Sequence, residues 1–309
     1  MVPSARVRTL QVFDQLIARC RDLPRKPFAV VSPTTDVALS GAMDAAAEGL
    51  IAPILVGNER AIASVASRLG VDLSQVKVVD APDDRAAARK AAAMCREGIA
   101  LGLMKGSLHT DLLMHAVLDR EAGLQTARRV SHVFVIDAPA YPRPLLVTDA
   151  AINIYPTLDD KVDITKNAIE LAHALGIPKP AVAILSAVET VSSKITSTID
   201  AAALCKMADR RQIEGAILDG PLAFDTAVSA EAAAIKELVS PVAGVADVLL
   251  VPDLESGNML AKQLEYLGGA ELAGVVLGAR VPIVLTSRSD SARARLASCA
   301  VAVLRAAAG

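Results

Sequence analysis

From Pro27 to Glu97 the sequence repeats one pattern three times: a short apolar run, a polar turn, and a charged, Ala-rich stretch of helical length. Pro27-Phe-Ala-Val-Val-Ser32-Pro33 reads as a buried strand and Asp36 to Glu48 as a helix. Ala52–Gly57 is then paired with Glu59–Leu69, and Val76–Asp80 with Pro82–Glu97. Parallel neighbours need a long crossover, and a helix is the usual one, so this alternation commits the chain to an α/β fold with helices covering a parallel sheet. A helix over Val7–Leu23 precedes it. The alternation continues through a strand opening at Ile99, a helix over Asp111–Asp119, a strand over Val130–Ile136 and a second strand from Leu145. Helices over Leu158–Leu175 and Ile195–Arg211 bracket a strand over Val182–Ser186. Strands at Gly215–Leu218 and Val248–Val251, an apolar run from Val281 and a helix over Ser291–Ala307 complete the pattern. The Pro-rich stretch 138–144 reads as a turn or domain-edge loop.

Composition narrows the setting. The 309 residues suffice for two domains with sizeable cores. A mean hydropathy of +0.42 owes much to Ala in charged helical segments, and no apolar run reaches the roughly 18 residues that span a bilayer. The first residues lack an apolar signal core, so a soluble, cytoplasmic protein is expected. Net charge is −2 with both signs interspersed, and aromatics are 2% with no Trp, which argues against nucleic acid or an anionic membrane as partner. Cys20, Cys95, Cys205 and Cys299 are far apart and fit neither a zinc site nor a disulfide framework, which suits a reducing compartment.

Chemistry collects where apolar strands end. Ligands of parallel α/β sheets bind outside the carboxyl ends of the strands, and five polar loops sit there: Lys105–Thr110, Thr148–Asn153, Asp219–Asp225, Asp253–Asn258 and Ser287–Asp290. Lys105, Gly106 and Thr110 offer an ammonium and backbone N–H groups to a phosphate or pyrophosphate. Thr148, Asp149 and Asn153 can hydrogen-bond an anion or orient an amine. Ser287, Arg288 and Asp290 combine a donor, a fixed positive charge and a potential base within four positions; the plainer reading is that Ser289 or Asp290 caps the last helix. Asp219, Asp225, Asp253 and Glu255 read singly as caps and turn residues, and His109 and His115 as solvated or structural. No complete metal-ligand set is visible. Neither G-x-x-x-x-G-K-[ST] nor G-x-G-x-x-G occurs, so a P-loop and a dinucleotide fingerprint are unsupported.

As a set, Lys105-Gly-Ser, Thr148-Asp-Ala-Ala-Ile-Asn153, Asp219-Gly-Pro-Leu-Ala-Phe-Asp225, Ser240-Pro-Val-Ala-Gly244, Pro252-Asp-Leu-Glu-Ser-Gly-Asn258 and Leu267-Gly-Gly-Ala270 resemble, in order and spacing, the phosphate acetyltransferase and phosphate butyryltransferase family. The resemblance runs from about Pro27 to the C-terminus, and Leu285-Thr-Ser-Arg-Ser-Asp-Ser291 looks closer to the butyryl branch. It implies transfer of a short acyl group between coenzyme A and inorganic phosphate, with coenzyme A as substrate and no further cofactor or metal. It also implies a two-domain fold similar to the isocitrate and isopropylmalate dehydrogenases, with the site in the cleft between domains, and a homodimer; an acyl kinase is a candidate functional partner. Domain I is expected over 1–146 and 278–309 on the coenzyme A side, and domain II over 147–277 with the dimer contacts. Ser287 and Arg288 match the family's Ser-Arg pair. The family's Asp six residues beyond that Arg is Ala294 here, which leaves Asp290 as the nearby acid for the base. Substrate-binding roles fall to Lys105, Gly106, Thr110, Thr148, Asn153, Asp253 and Asn258.

The residue types suit the reaction. A thiol with pKa near 8.5 needs a base or a positive charge to become a good nucleophile near neutral pH. In the reverse sense phosphate attacks a thioester carbonyl; Arg288 can pair with phosphate bidentately while Ser287 donates to the carbonyl oxygen. With no G-x-S-x-G elbow, no covalent intermediate is called for. Two alternatives remain open on the sequence: a decarboxylating hydroxy-acid dehydrogenase on the same fold, and a non-catalytic acyl-CoA-binding regulatory protein.

Overall fold

The protein is described by a computed structural model, which covers residues 9–285 and 290–309. In chain order the elements are α1 (Val12–Arg21), β1 (Lys26–Val31), α2 (Asp36–Ala47), β2 (Ile51–Gly57), α3 (Glu59–Leu69), β3 (Lys77–Asp80), α4 (Asp84–Arg96), β4 (Gly102–Lys105), α5 (Thr110–Val117), β5 (Ser131–Asp137) and β6 (Leu145–Thr148). They continue with α6 (Leu158–Ala174), β7 (Ala181–Leu185), α7 (Thr196–Asp209), β8 (Ile217–Leu222), α8 (Phe224–Val228), α9 (Ala230–Ile235), β9 (Val248–Leu250), α10 (Leu254–Tyr266), β10 (Glu271–Leu277), β11 (Ile283–Val284) and α11 (Ala292–Ala307).

The chain divides into two compact units. The first comprises Asp14–Val130 with Ala273–Gly309, and the second Met1–Phe13 with Ser131–Leu272. The breaks fall at 130/131 and 272/273 rather than at the expected 146/147 and 277/278. The earlier break has a plain cause: β5 pairs with β6, Val133 opposite Thr148 and Ile136 opposite Leu145, so both strands belong to the second unit.

In the first unit the strand order is β3-β2-β1-β4-β11-β10. β1 pairs parallel with β2 and β4, β2 with β3, and β4 with β11, while β10 and β11 are antiparallel. In the second unit the order is β5-β6-β9-β7-β8, parallel except for β5 with β6. The expected parallel sheet is therefore mixed at two places, both where the connection is too short for a crossover.

Local chemistry sets the helix limits. Asn58 caps α3 by accepting from the Ala61 N–H at 2.9 Å, and Gly70 ends it at φ +66°. Asp83 caps α4 from 2.7 Å. Thr157 and Asp160 close a reciprocal capping box on α6. The alanines that raised the mean hydropathy are core residues: Ala87, Ala88, Ala91 and Ala92 of α4 are buried, as is Ala297–Leu304 along α11. In the second unit Val147, Ala183, Leu249 and Leu185 form the centre of the core, joined by Ala227, Val242 and Ala261 from the covering segments.

Two stretches differ from the sequence reading. Asp219-Gly220-Pro221 lies within β8 rather than in a loop after it; β8 ends the strand order, where Pro221 leaves no ladder partner short of a donor. Pro252–Asn258 opens a full helix, α10, and β10 follows it. Among the described residues no helix is long and apolar enough to cross a membrane.

Candidate functional site

In the first unit β1 leads outward to β2 and β3, and the chain then returns to place β4 on the other side of β1. The carboxyl ends of β1 and β4 therefore flank a topological switch point, the place where open α/β sheets bind ligands. Lys105 ends β4, with Gly106 and Ser107 next and Thr110 opening α5. From β1 come Ser32, Pro33 and Thr34, ahead of Thr35, the N-cap of α2.

These two loops are knotted together by neutral groups. Gly106 N–H donates to the Val31 carbonyl and Ser107 N–H to the Ser32 carbonyl, each at 2.9 Å. The Ser107 hydroxyl donates to the Ser32 carbonyl at 2.6 Å and lies 2.7 Å from the Thr34 hydroxyl. A Cβ on Gly106 would stand 2.3 Å from the Val31 carbonyl oxygen, so only glycine permits this approach. Ser32 is buried at φ +53°, a left-handed conformation uncommon for a serine, and its hydroxyl oxygen has no hydrogen-bond partner. Lys105, Gly106, Ser107 and Thr34 are half-buried and Thr110 is exposed.

The second unit builds its polar end differently. Asp149 follows β6 and is buried. Its carboxylate accepts from the N–H groups of Ala151 (2.9 Å), Ile152 (3.0 Å) and Asn153 (3.2 Å) and from the Asn153 side-chain amide (2.6 Å). The turn so formed packs on the start of α10: Leu254 N–H donates to Ile154 at 3.1 Å and the Asn258 amide to Ala150 at 3.2 Å. Gly257 makes room, since a Cβ there would lie 2.7 Å from Val251 Cγ2 and 2.9 Å from the Asp149 carbonyl oxygen. Asp253 is the N-cap of α10, accepting from the Ser256 N–H at 2.8 Å and the Ser256 hydroxyl at 2.7 Å.

The hydrogen-bond partners of the expected substrate-binding residues in this unit lie within the protein. Thr148 is fully buried and its hydroxyl donates to the His132 carbonyl at 2.9 Å. Asn153, also buried, turns its amide inward to Asp149. Asp253 and Asn258 hold the helix start and the turn beneath it. His132, which the sequence reading passed over, is buried beside Asp149 with its ring edge-on to Phe134 at 4.4 Å; burial pushes its pKa down to about 4, against a smaller upward pull from Asp149.

Ser287 and Arg288 lie outside the described residues. The helix that follows is capped by Ser291, whose hydroxyl accepts from the Ala294 N–H at 3.1 Å, so Asp290 is not the cap; Ser289 also lies outside the described residues. Asp290 is half-buried, and its main-chain oxygen accepts from the Arg295 guanidinium. The thiols are placed as core groups: burial pushes Cys95, Cys205 and Cys299 up to about 12 and Cys20 to about 11, far from the thiolate range a nucleophile needs. Among the described residues no three His, Cys, Asp or Glu side chains are grouped to hold a metal ion.

Residues 84–303 match the family described as phosphate acetyl/butaryl transferase. The chain belongs to that family. A phosphate acetyltransferase of Rhizobium meliloti is 58% identical over 295 residues, covering 96% of this chain and 93% of that protein. A phosphate butyryltransferase of Clostridium acetobutylicum is 40% identical over 295 residues, covering 96% and 98%. Among solved structures, a branched-chain phosphotransacylase from Enterococcus faecalis superposes with a TM-score of 0.80 at 31% identity, over 91% of this chain and 99% of that one. Membership of the phosphate acetyl/butyryl transferase family makes the protein an acyltransferase acting between coenzyme A and phosphate, and favours neither the dehydrogenase nor the regulatory alternative. The butyryl branch is not singled out, since relatives of both names match.

Proposed function

We propose that the acyl group is short, acetyl through butyryl, and that the switch-point crevice of the first unit takes the coenzyme A portion of the thioester. Support comes from the juxtaposition of Lys105, the glycine that lets its loop approach β1, and the start of α5 at one topological switch point. In this reading Arg288 pairs with phosphate and with the oxyanion that develops on the carbonyl, Ser287 donates to that oxygen, and Asp290 takes the thiol proton in the direction that consumes free coenzyme A. Each bond change is direct: the phosphate oxygen bonds to the carbonyl carbon, the carbon–sulfur bond breaks, and the thiolate leaves and is protonated. A homodimer working in the cytoplasm beside an acyl kinase completes the proposal.

The test is phosphate-dependent thiol release from acetyl- and butyryl-CoA by the wild type and by Arg288→Ala and Arg288→Lys. Wild type should turn over both thioesters only when phosphate is present. Arg288→Ala should lose about 100-fold or more in kcat. Arg288→Lys should recover little, because an ammonium lacks the planar fork. Near-normal turnover by the Lys variant would remove Arg288 from the bidentate role.

A further inference from the structure

The hydroxyl knot at the switch point fixes its own protons. Ser107 has a single O–H, and a carbonyl oxygen can only accept, so the 2.6 Å contact between the Ser107 hydroxyl and the Ser32 carbonyl consumes that proton. The 2.7 Å contact between Ser107 and Thr34 must then run from the Thr34 hydroxyl to the Ser107 oxygen. The result is a one-way relay, Thr34 to Ser107 to the Ser32 carbonyl. Thr34 has given away its only donor, and its half-buried oxygen offers lone pairs alone.

We propose that Thr34 accepts a hydrogen bond from a neutral N–H or O–H group of acyl-CoA, and so helps to select the thioester substrate. This rests on the reading that the crevice takes coenzyme A. The relay is held at the end of the β1–β4 pairing by an unusual backbone conformation and a close approach. Ser32 is kept in a left-handed conformation with its own hydroxyl buried and unpartnered, and Gly106 admits a backbone approach that no side chain would allow. Together they bring β1's Thr34 and β4's Ser107 within hydrogen-bonding distance at the switch point. An acceptor-only oxygen also discriminates: fully ionised phosphodiester oxygens have no proton to give it and are repelled. The ammonium of Lys105, on the neighbouring strand end, has the opposite preference. The crevice thus separates the two kinds of group along acyl-CoA, anionic phosphates toward Lys105 and an amide or hydroxyl toward Thr34. The donor is either an amide N–H or hydroxyl of the pantetheine arm, or a hydroxyl of the nucleotide.

The experiment compares Thr34→Val, which keeps the branched shape and removes the oxygen, with Thr34→Ser, which restores it, and Lys105→Ala, all assayed by phosphate-dependent thiol release. Thr34→Val should raise the KM for acyl-CoA by about threefold to tenfold, the range of one neutral hydrogen bond. The KM for phosphate should stay within about twofold, and Thr34→Ser should behave as wild type. Repeating the assay with acyl-pantetheine identifies the donor: a penalty that persists assigns it to the pantetheine arm, and one that vanishes assigns it to the nucleotide, either of which supports the proposal. An unchanged KM for acyl-CoA in Thr34→Val overturns it, as does an equal rise in the KM for phosphate. If Lys105→Ala raises the KM for acyl-CoA while Thr34→Val does not, only the Thr34 role falls; if neither does, the coenzyme A reading of the crevice falls with it.

Discussion

The carboxyl ends of the two units solve one problem with opposite chemistry. In the first unit the loops after β1 and β4 are joined by hydroxyls, carbonyls and a glycine, with no carboxylate in the knot. In the second unit the turn after β6 and the start of α10 are each organised by an aspartate that gathers N–H donors. A buried carboxylate draws four hydrogen bonds to one point and makes a rigid turn, but its oxygens are then occupied and it serves poorly as a free base. A hydroxyl relay contributes less to stability and ends on a half-buried hydroxyl oxygen that still has lone pairs. Motifs that look alike on paper, Lys105-Gly-Ser and Thr148-Asp-Ala-Ala-Ile-Asn153, are therefore built differently: one joins two strand ends through neutral groups, and the other closes a turn around a buried carboxylate.

The sharpest way to break this contrast is to remove each organiser and compare the losses. Asp149→Ala removes the acceptor of three backbone N–H groups, of which only that of Asn153 is buried, and of the buried Asn153 side-chain amide, and should lower unfolding free energy by about 2 kcal/mol or more in urea denaturation. A loss below about 1 kcal/mol would mean the turn is held by its packing on α10 instead.

A smaller effect concerns His132, buried in the same unit. Burial keeps its ring neutral in the folded protein down to about pH 4, whereas in the unfolded chain it takes a proton near pH 6.5. Between those values the unfolded state binds more protons, so stability is intact above about pH 6.5 and falls as pH drops toward 4. The loss from this group is about 2 kcal/mol at pH 5. His132→Phe should flatten that part of the curve of denaturation midpoint against pH. The same slope in both proteins would show that the ring is not held neutral.

The smallest stability change is expected at the hydroxyl knot. Ser107→Ala removes a neutral relay from a half-buried site and should cost about 1 kcal/mol in the same urea measurement. A loss matching that of Asp149→Ala would erase the distinction drawn between the units.

Much of the framework was legible in the sequence because its signals are local. α3 runs over Glu59–Leu69 as the sequence indicates, since Asn58 and Gly70 punctuate it. α10 was not legible: Gly257 sits in its first turn and breaks the helical pattern, and the reason for a glycine there is contact with Val251 and Asp149, which are close only in the fold. The sequence offers Ser289 or Asp290 as the cap of α11, but Ser291, read there as the first helical residue, is the cap, because hydroxyl and carboxylate residues in succession do not say which of them the helix starts after. Of the site, the Lys105–Thr110 loop was visible from its place after an apolar strand. Thr34 was not singled out, although it too follows a strand, because its partner Ser107 is far off in sequence. Thr148 and Asn153 carry a related ambiguity: polar character at a strand end does not say which way the side chain faces, and both hydrogen-bond within the protein, to His132 and Asp149.

The position of β11 bears on how the protein is made. It lies between β4 and β10 in the first unit, with Ile283 beside Leu103 and Val284 beside Met104. A ribosome therefore delivers β1 to β4 early and must then complete the whole second unit before the strand that covers β4 emerges. Throughout that interval the nascent chain carries an open, apolar β4 edge, the kind of surface that invites pairing with a neighbouring chain. The second unit, read out without interruption from Ser131 to Leu272, has nearly all of its residues in hand while the first is still waiting for its last piece.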